Sequence, residues 1–280
     1  MNNPWRSAVL NQIERLDPEK DHWEIVRLSS FYDFPWDYAR SLEIALFKSF
    51  ASPSISAVLH QSGKFERQTQ KRYDDTDIII NYIIEYGLQD HRGRAALDRL
   101  NFIHSHFSIT NEDFLYVLST FILEPRRWID RYGWRDLHIN ELRAGFLVWK
   151  EIGEAMGISN IPATAEALEK WSINYEATRF FFADSNRAVS APTLNLLLGW
   201  ISPQCMHRFL RPFALSLFDV RFLNSLGFKS PNPIVRMSVF AGFQARKWIL
   251  RMLPKRRTPF HRTQRPFKSY PKGHTINTPE

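Results

Sequence analysis

The sequence has a single cysteine, Cys205, and one thiol excludes an internal disulfide bond or a zinc or iron–sulfur centre built on cysteine. Such sparing use of cysteine is typical of a reducing compartment. The one long stretch without Lys, Arg, Asp or Glu is 188–207, and Pro192 and Pro203 interrupt it. We therefore predict no transmembrane helix, and the charged start of the chain predicts no signal peptide. Together these absences predict a cytoplasmic protein.

The sequence motifs of several common enzyme classes are also absent. There is no Gly-x-Gly-x-x-Gly, P-loop, Gly-x-Ser-x-Gly or His-Glu-x-x-His, so the usual nucleotide, serine-hydrolase and zinc-protease sites are excluded. A di-iron centre in a helical protein needs two Glu-x-x-His pairs. That spacing occurs once, at Glu19 and His22, so a di-iron centre is not expected.

Apolar residues recur at helical spacing along most of the chain, and no alternating strand pattern lasts for six residues. We predict an all-α protein with a single multi-helix globular domain over residues 31–253. A helical extension at 1–30 precedes this domain, and a disordered basic tail at 254–280 follows it. With 22 Phe and nine Trp, the interior is wide or lined for an apolar ligand.

The formal net charge of +8 is concentrated at the C-terminus. Residues 246–272 contain ten Lys or Arg and no acidic residue, and the rest of the chain is close to neutral. A helix at 234–253 that runs into a basic tail has two interpretations. It lies on an anionic membrane surface, or it packs on the domain with the tail in solvent. Because the body is near neutral, no nucleic-acid partner is expected.

His104 is the first candidate site residue. Read as a helix, the segment places Leu97, Leu100 and His104 on one stripe, three and four residues apart. A histidine on an apolar stripe has two interpretations. Either it is a core residue bonded to a backbone carbonyl, or it is an axial ligand to a metal or haem iron, because neutral imidazole is a common protein ligand.

Arg72 and Thr76 form the second candidate group. They are four residues apart, so they share one face of a helix, which Ile80 continues. Near the start of an apolar central helix they could face a polar group of a ligand. The alternative is an exposed capping turn, because Asp74, Asp75 and Thr76 all suit a helix start.

Four pieces of sequence together resemble one enzyme family. They are Lys71-Arg-Tyr-Asp-Asp-Thr76, Ile103-His104, Glu124-Pro-Arg-Arg-Trp128 and Arg131-Tyr-Gly-Trp-Arg135. This family joins the ER-bound oxygenase of fungal mycophenolic acid biosynthesis to the bacterial rubber oxygenases. The similarity covers roughly residues 31–198. Asp75 stands where the rubber oxygenases carry a lysine.

The resemblance implies a globin-like core that binds haem b, with His104 as the axial ligand of the iron. It places Arg72 and Thr76 on the side where dioxygen reacts. The implied function is a haem-dependent oxygenase of secondary metabolism, which cleaves or oxidises a carbon–carbon double bond in an apolar, isoprenoid substrate. A peripheral location at the ER membrane is compatible with it.

Two other functions remain open from the sequence. One is a helical interaction protein without a cofactor, in which Arg72, Thr76 and His104 serve only the structure. The other is a peripheral binder of membranes or nucleic acid that uses the basic C-terminal tail.

Overall fold

The computed structural model describes residues 7–274 and 276, and within these it is helical, without a named strand. This confirms the predicted all-α single domain, and a globin-like core stays a prediction. The helices are α1 (Ala8–Ile13), α2 (Pro18–Leu28), α3 (Pro35–Ser49), α4 (Pro53–Ser62), α5 (Lys64–Arg67), α6 (Thr69–Tyr86), α7 (His91–His104), α8 (Asn111–Tyr132), α9 (Ile139–Ala155), α10 (Ala165–Arg179), α11 (Asp184–Gly199), α12 (His207–Leu215), α13 (Val220–Ser225) and α14 (Pro233–Met252).

Local sequence signals explain where several helices begin and end. The Thr110 hydroxyl accepts a hydrogen bond from the Asp113 N–H at 3.1 Å, which starts α8. This helix continues through Pro125. The segment 206–226 is divided into α12 and α13, because the Asp219 carboxylate caps a new helix by accepting from the Phe222 N–H at 2.8 Å.

Helices α6 and α7 form a close hairpin. Gly87 ends α6 with a φ of 74°, a conformation that favours glycine. A Cβ on Gly93 would lie 1.9 Å from the Gly87 carbonyl oxygen, so the two backbones touch. The short connection brings the start of α6 and the end of α7 to the same end of the hairpin. Arg72, Thr76 and His104 therefore lie in one region of the fold.

The core is built from α2 packed on α9 and α3 packed on α8, with the α6–α7 hairpin beside them. Helices α1 and α2, expected as an N-terminal extension, contribute to the same apolar cluster as α6, α7 and α9. The boundary at residue 30 stays a prediction, and residues 1–6 lie outside the described part of the chain.

Arg135 connects three parts of the structure through buried ion pairs. Its guanidinium donates to the Asp33 carboxylate at 2.6 Å and to the Glu141 carboxylate at 2.6 Å. The Trp134 indole N–H donates to the Asp33 carbonyl oxygen at 2.9 Å. Because buried charges need such partners, the segment 131–135 has a structural role here.

The segment 254–274, expected to be disordered, instead lies along α6, and we call it the C-terminal strap. Arg262 donates to the Asp77 carboxylate at 3.0 Å, and the Ser269 N–H donates to the Asp74 carboxylate at 2.8 Å. Phe267 is 1% exposed. Two carboxylates of α6 thus hold the strap, a pairing between distant segments that the composition of either one does not reveal. Residues 275 and 277–280 of the expected tail lie outside the described residues.

Candidate functional site

A cavity of about 520 Å³ lies between α3 and α6, and its size is in the range of small-molecule sites. Most of its walls are apolar, and they include Trp36, Leu42, Leu46, Ile80, Phe121 and Trp149. The rings of Phe121 and Trp149 stack with their centroids 4.7 Å apart. Residues of the C-terminal strap, including Phe260 and Arg262, complete the wall. The cavity is therefore suited to an apolar ligand with a few polar groups.

Thr76 and Ile80 lie in the wall of this cavity, whereas Arg72 and His104 are not among the residues that line it. Helix α6 begins at Thr69, so Thr76 lies in the interior of the helix. The interpretation of this segment as an exposed capping turn is therefore wrong.

Arg72 is held against Thr76. Its guanidinium donates to the Thr76 hydroxyl oxygen at 2.5 Å, and that hydroxyl donates to the Arg72 carbonyl oxygen at 3.1 Å. The guanidinium also lies over the Phe65 ring, 5.2 Å from its centroid. Such cation–π contact and hydrogen bonding fix the position of the charge.

His104 is the last residue of α7, and its ring packs edge-on against Phe114 with centroids 5.2 Å apart. Burial and, to a smaller extent, the positive charge of Arg72 together lower the pKa of the imidazole to about 4. At neutral pH the ring is therefore uncharged. Its Nδ1 is buried and has no hydrogen-bond partner among the described residues. This nitrogen therefore makes no bond to a backbone carbonyl among those residues.

Two partly buried carboxylates were not recognised from the sequence. Burial raises the pKa of Glu43 to about 7, although Arg40 forms an ion pair with it and the Tyr73 hydroxyl donates to it at 2.9 Å. Burial also raises the pKa of Asp77, whose partner is Arg262. Both carboxylates line the cavity. Nothing in the sequence around Glu43 indicates that its side chain is buried.

Comparison with known proteins identifies the family of this chain. The profile described as the catalytic domain of the ER-bound oxygenases mpaB and mpaB' and the rubber oxygenases matches residues 39–246. The chain belongs to this family. The matched range includes α6, α7 and the helices around the cavity.

Three relatives in this family are fungal proteins. The chain is 30% identical over 240 residues to the ER-bound oxygenase mpaB' of Penicillium brevicompactum, covering 79% of the chain and 56% of that protein. It is 31% identical over 184 residues to mpaB of the same fungus, covering 59% and 47%. It is 26% identical over 226 residues to mpaB of Penicillium roqueforti (strain FM164), covering 74% and 76%. The chain thus spans about half the length of the first two relatives.

Some residues of the sequence pieces that resemble this family have a structural role. Glu124 pairs with Lys48 at 3.0 Å and with Arg127 at 2.7 Å. The Trp128 indole N–H donates to the buried Asp37 carboxylate at 3.0 Å. These pieces therefore hold α3 against α8, and α6 and α7 contribute the candidate chemistry.

Within residues 7–274 and 276, no three His, Cys, Asp or Glu side chains are grouped so that they could hold a metal ion by themselves. In the same range, no single helix is long and apolar enough to cross a membrane. Helices α3 and α4 pass that test only as a pair, and they are bent by 97° relative to each other.

Proposed function

We propose that this chain is a haem-dependent oxygenase that cleaves or oxidises a carbon–carbon double bond in an apolar, isoprenoid substrate. The observation that carries this function is the state of His104. Its imidazole is uncharged, largely buried, next to the Arg72 charge, and has an unpaired Nδ1. Membership of the oxygenase family and the apolar cavity support the same function.

In its donor chemistry, His104 fits a residue that would hold the haem iron. A metal binds the neutral form of imidazole, and the lowered pKa keeps this form down to mildly acidic pH. One protein ligand is enough for haem, whose iron is commonly held by a single histidine. Haem, when bound, would supply the reaction with dioxygen, and the protein would supply orientation and access.

Arg72 and Thr76 would bind and orient polar atoms beside the reacting double bond. The Thr76 side chain lines the cavity, and the Arg72 guanidinium is fixed to its hydroxyl. A guanidinium has several N–H donors in fixed directions, so it can hold an oxygen atom of a ligand while it keeps its bond to Thr76. These two residues are therefore the proposed catalytic residues.

The apolar walls of the cavity would take the substrate. Stacked aromatic rings at Phe121 and Trp149, with the aliphatic side chain of Ile80, suit a prenyl chain better than a polar metabolite. The relatives are named ER-bound. As part of the proposed function, this chain associates peripherally with the same membrane, where an apolar substrate would be dissolved.

Absorption spectra of the purified protein, after growth with a haem precursor, test the function. The wild type should show a Soret band that His104→Ala abolishes, because that change removes the one strong bond to iron. His106→Ala is the matched control: this exposed ring already bonds the Phe102 carbonyl oxygen at 2.7 Å, so its loss should leave the band unchanged. A wild type without any Soret band would favour a helical interaction protein without cofactor.

Arg72→Ala and Thr76→Val separate cofactor binding from catalysis. Both variants should keep the Soret band and lose oxygen consumption with an isoprenoid substrate. A lost hydrogen bond to a charged group is worth about 1.5–3 kcal/mol, which predicts roughly ten- to hundredfold lower turnover for Arg72→Ala. Arg126→Ala, on the outside of α8, is the control and should retain full turnover. If Arg72→Ala keeps normal turnover, its proposed role is wrong.

A further inference from the structure

Helix α14 presents an apolar face to solvent. The exposed side chains of this helix include Ile234, Met237, Phe240, Trp248, Ile249 and Met252. Ile234 and Met252, at its two ends, are 70% and 75% exposed. Pro233, Ser238, Ala241, Gly242 and Ala245 occupy the other exposed positions, so this face carries no charged residue. Twenty residues of helix extend about 30 Å, which is long for an apolar strip in water.

The charged side chains of α14 point the other way, toward the protein. Arg236 donates to the Phe218 carbonyl oxygen at 2.7 Å, and Arg251 donates to the Trp134 carbonyl oxygen at 2.7 Å. Arg246 pairs with the buried Asp37 carboxylate at 2.9 Å. A surface helix ordinarily has the opposite arrangement, with its apolar stripe inside. The orientation of α14 is therefore fixed by specific polar bonds that leave its apolar side outside.

Helix α12 and the residues before it extend this surface. Helices α12 and α14 contact each other, and Phe209 and Phe213, one turn apart on α12, are 66% and 43% exposed. Ile201, just before α12, is 73% exposed. We call the exposed apolar side chains of 201–213 and of α14 the α12–α14 face.

The C-terminal 80 residues, to which this face belongs, are strongly basic. Residues 201–280 contain 15 Lys or Arg and two acidic residues, whereas residues 1–200 contain 22 Lys or Arg and 27 acidic residues. One of the two acids, Asp219, is occupied in capping α13. Exposed cations that flank the apolar side chains in the sequence include Arg208, beside Phe209, and Arg256 and Arg257, just after α14.

We propose that the α12–α14 face docks on the surface of a bilayer that contains anionic lipid. Apolar side chains would enter the boundary between headgroups and acyl chains, and Trp248 suits that layer because its ring is amphipathic. The flanking cations would pair with anionic headgroups. A second copy of the chain is a poorer occupant, because it would bring the flanking exposed cations of two copies together.

Co-sedimentation of the full chain with vesicles tests this docking. At physiological ionic strength the wild type should bind phosphatidylcholine vesicles that contain about one third phosphatidylserine, and bind pure phosphatidylcholine at least about tenfold more weakly. Ile249→Asp and Met252→Asp should each reduce binding to the anionic vesicles by about tenfold or more. Ile173→Asp on α10 is the matched control, since Ile173 is 56% exposed and Ile249 is 58% exposed, and it should bind like the wild type.

Replacing Arg208 and Arg257 together with Gln tests the electrostatic part. Binding should fall by about tenfold or more at physiological ionic strength, because each cation near the surface contributes about 1 kcal/mol. Far-ultraviolet circular dichroism should show unchanged helix content in all these variants, whose replaced side chains are exposed. The docking is refuted if the wild type does not bind anionic vesicles, or if both Asp variants bind as well as Ile173→Asp.

One further outcome would assign the face to protein contact. If the wild type is dimeric in solution, Ile249→Asp makes it monomeric, and vesicles are not bound, the occupant is a second copy and the membrane proposal is wrong. Arg72, Thr76 and His104 are not part of this face, so membrane docking and haem binding can fail independently.

Discussion

At the scale of single residues, burial decides which titratable groups of this protein can act. His104 and His106 are two residues apart, yet their environments differ completely. The first is uncharged with an unpaired Nδ1, and the second is exposed and bonded to a carbonyl oxygen. Glu43 follows the same principle: its carboxyl group lies in the cavity wall, where removal from water favours the protonated form.

Glu43→Gln should change the pH dependence of stability. Because folding raises the pKa of Glu43 from its ordinary value of 4.5 to about 7, the folded state binds the extra proton between these values. The favourable contribution of Glu43 to the free energy of unfolding is complete below pH 4.5 and is lost as the pH rises through about 7. The loss is on the order of 3 kcal/mol. The variant should therefore show a smaller fall in the free energy of unfolding between pH 5 and pH 8, measured by urea denaturation.

The control for this experiment is Glu154→Gln at an exposed position near the end of α9. It should follow the wild-type pH dependence. If Glu43→Gln loses stability between pH 5 and pH 8 as steeply as the wild type does, Glu43 is not the group that titrates with a raised pKa.

At the scale of elements, the α6–α7 hairpin is what brings the candidate site together. Its connection depends on glycine at two positions, one with positive φ and one in direct backbone contact. The stripe that contains His104 and the face that contains Arg72 are visible in the sequence. Their convergence depends on the close backbone contact at Gly93. The position of His104 at the end of α7 therefore depends on the backbone contact of Gly93, which lies near the start of the same helix.

Gly93→Ala should strongly destabilise the protein. The new Cβ would lie 1.9 Å from the Gly87 carbonyl oxygen, so the two helices must separate. The cost should be about 1–3 kcal/mol or more, as for other overpacked contacts, and thermal denaturation measures it.

Gly145→Ala on α9 is the matched control. No heavy atom of the described residues lies within 4 Å of a Cβ built there, so alanine should stabilise the helix by about 0.5–1 kcal/mol. Equal melting temperatures for Gly93→Ala and the wild type would show that the hairpin is looser than this contact implies.

At the scale of the whole molecule, charge and apolar surface are distributed unevenly. The first 200 residues are acidic overall and the last 80 are basic. The C-terminal strap lies along α6, where it bonds to Asp74 and Asp77, and it closes part of the cavity wall. The same C-terminal region carries the exposed face of α14. Residues near the C-terminal end of the sequence thus form both a part of the cavity wall and the docking surface.

Haem binding should stabilise the whole domain if it occupies the proposed site. At a free concentration about a hundredfold above Kd, a ligand specific for the folded state adds about 2.7 kcal/mol. For a domain of this size the melting temperature should rise by roughly 5–10 °C. Differential scanning calorimetry of the haem-free protein with added haem measures the rise, and His104→Ala should remove it. An equal rise in His104→Ala would indicate haem bound elsewhere.

The sequence by itself determined the features that depend on local pattern. Helical periodicity predicted an all-α domain, and the spacing of Arg72 and Thr76 placed them on one face of a helix. Each of these features arises between residues that are close in the chain, so it leaves a signal in a short window of sequence.

Only the tertiary structure decided which charges are buried and which apolar side chains are exposed. Asp77 pairs with Arg262 from 185 residues away, and Asp37 pairs with Arg246 from 209 residues away. These pairings order the strap and turn the apolar side of α14 outward. A composition rule treats a basic, proline-rich segment as solvated and an amphipathic helix as packed on its apolar side. Long-range ion pairs override both rules here, because the free energy of a charge depends on the partner that the fold brings to it.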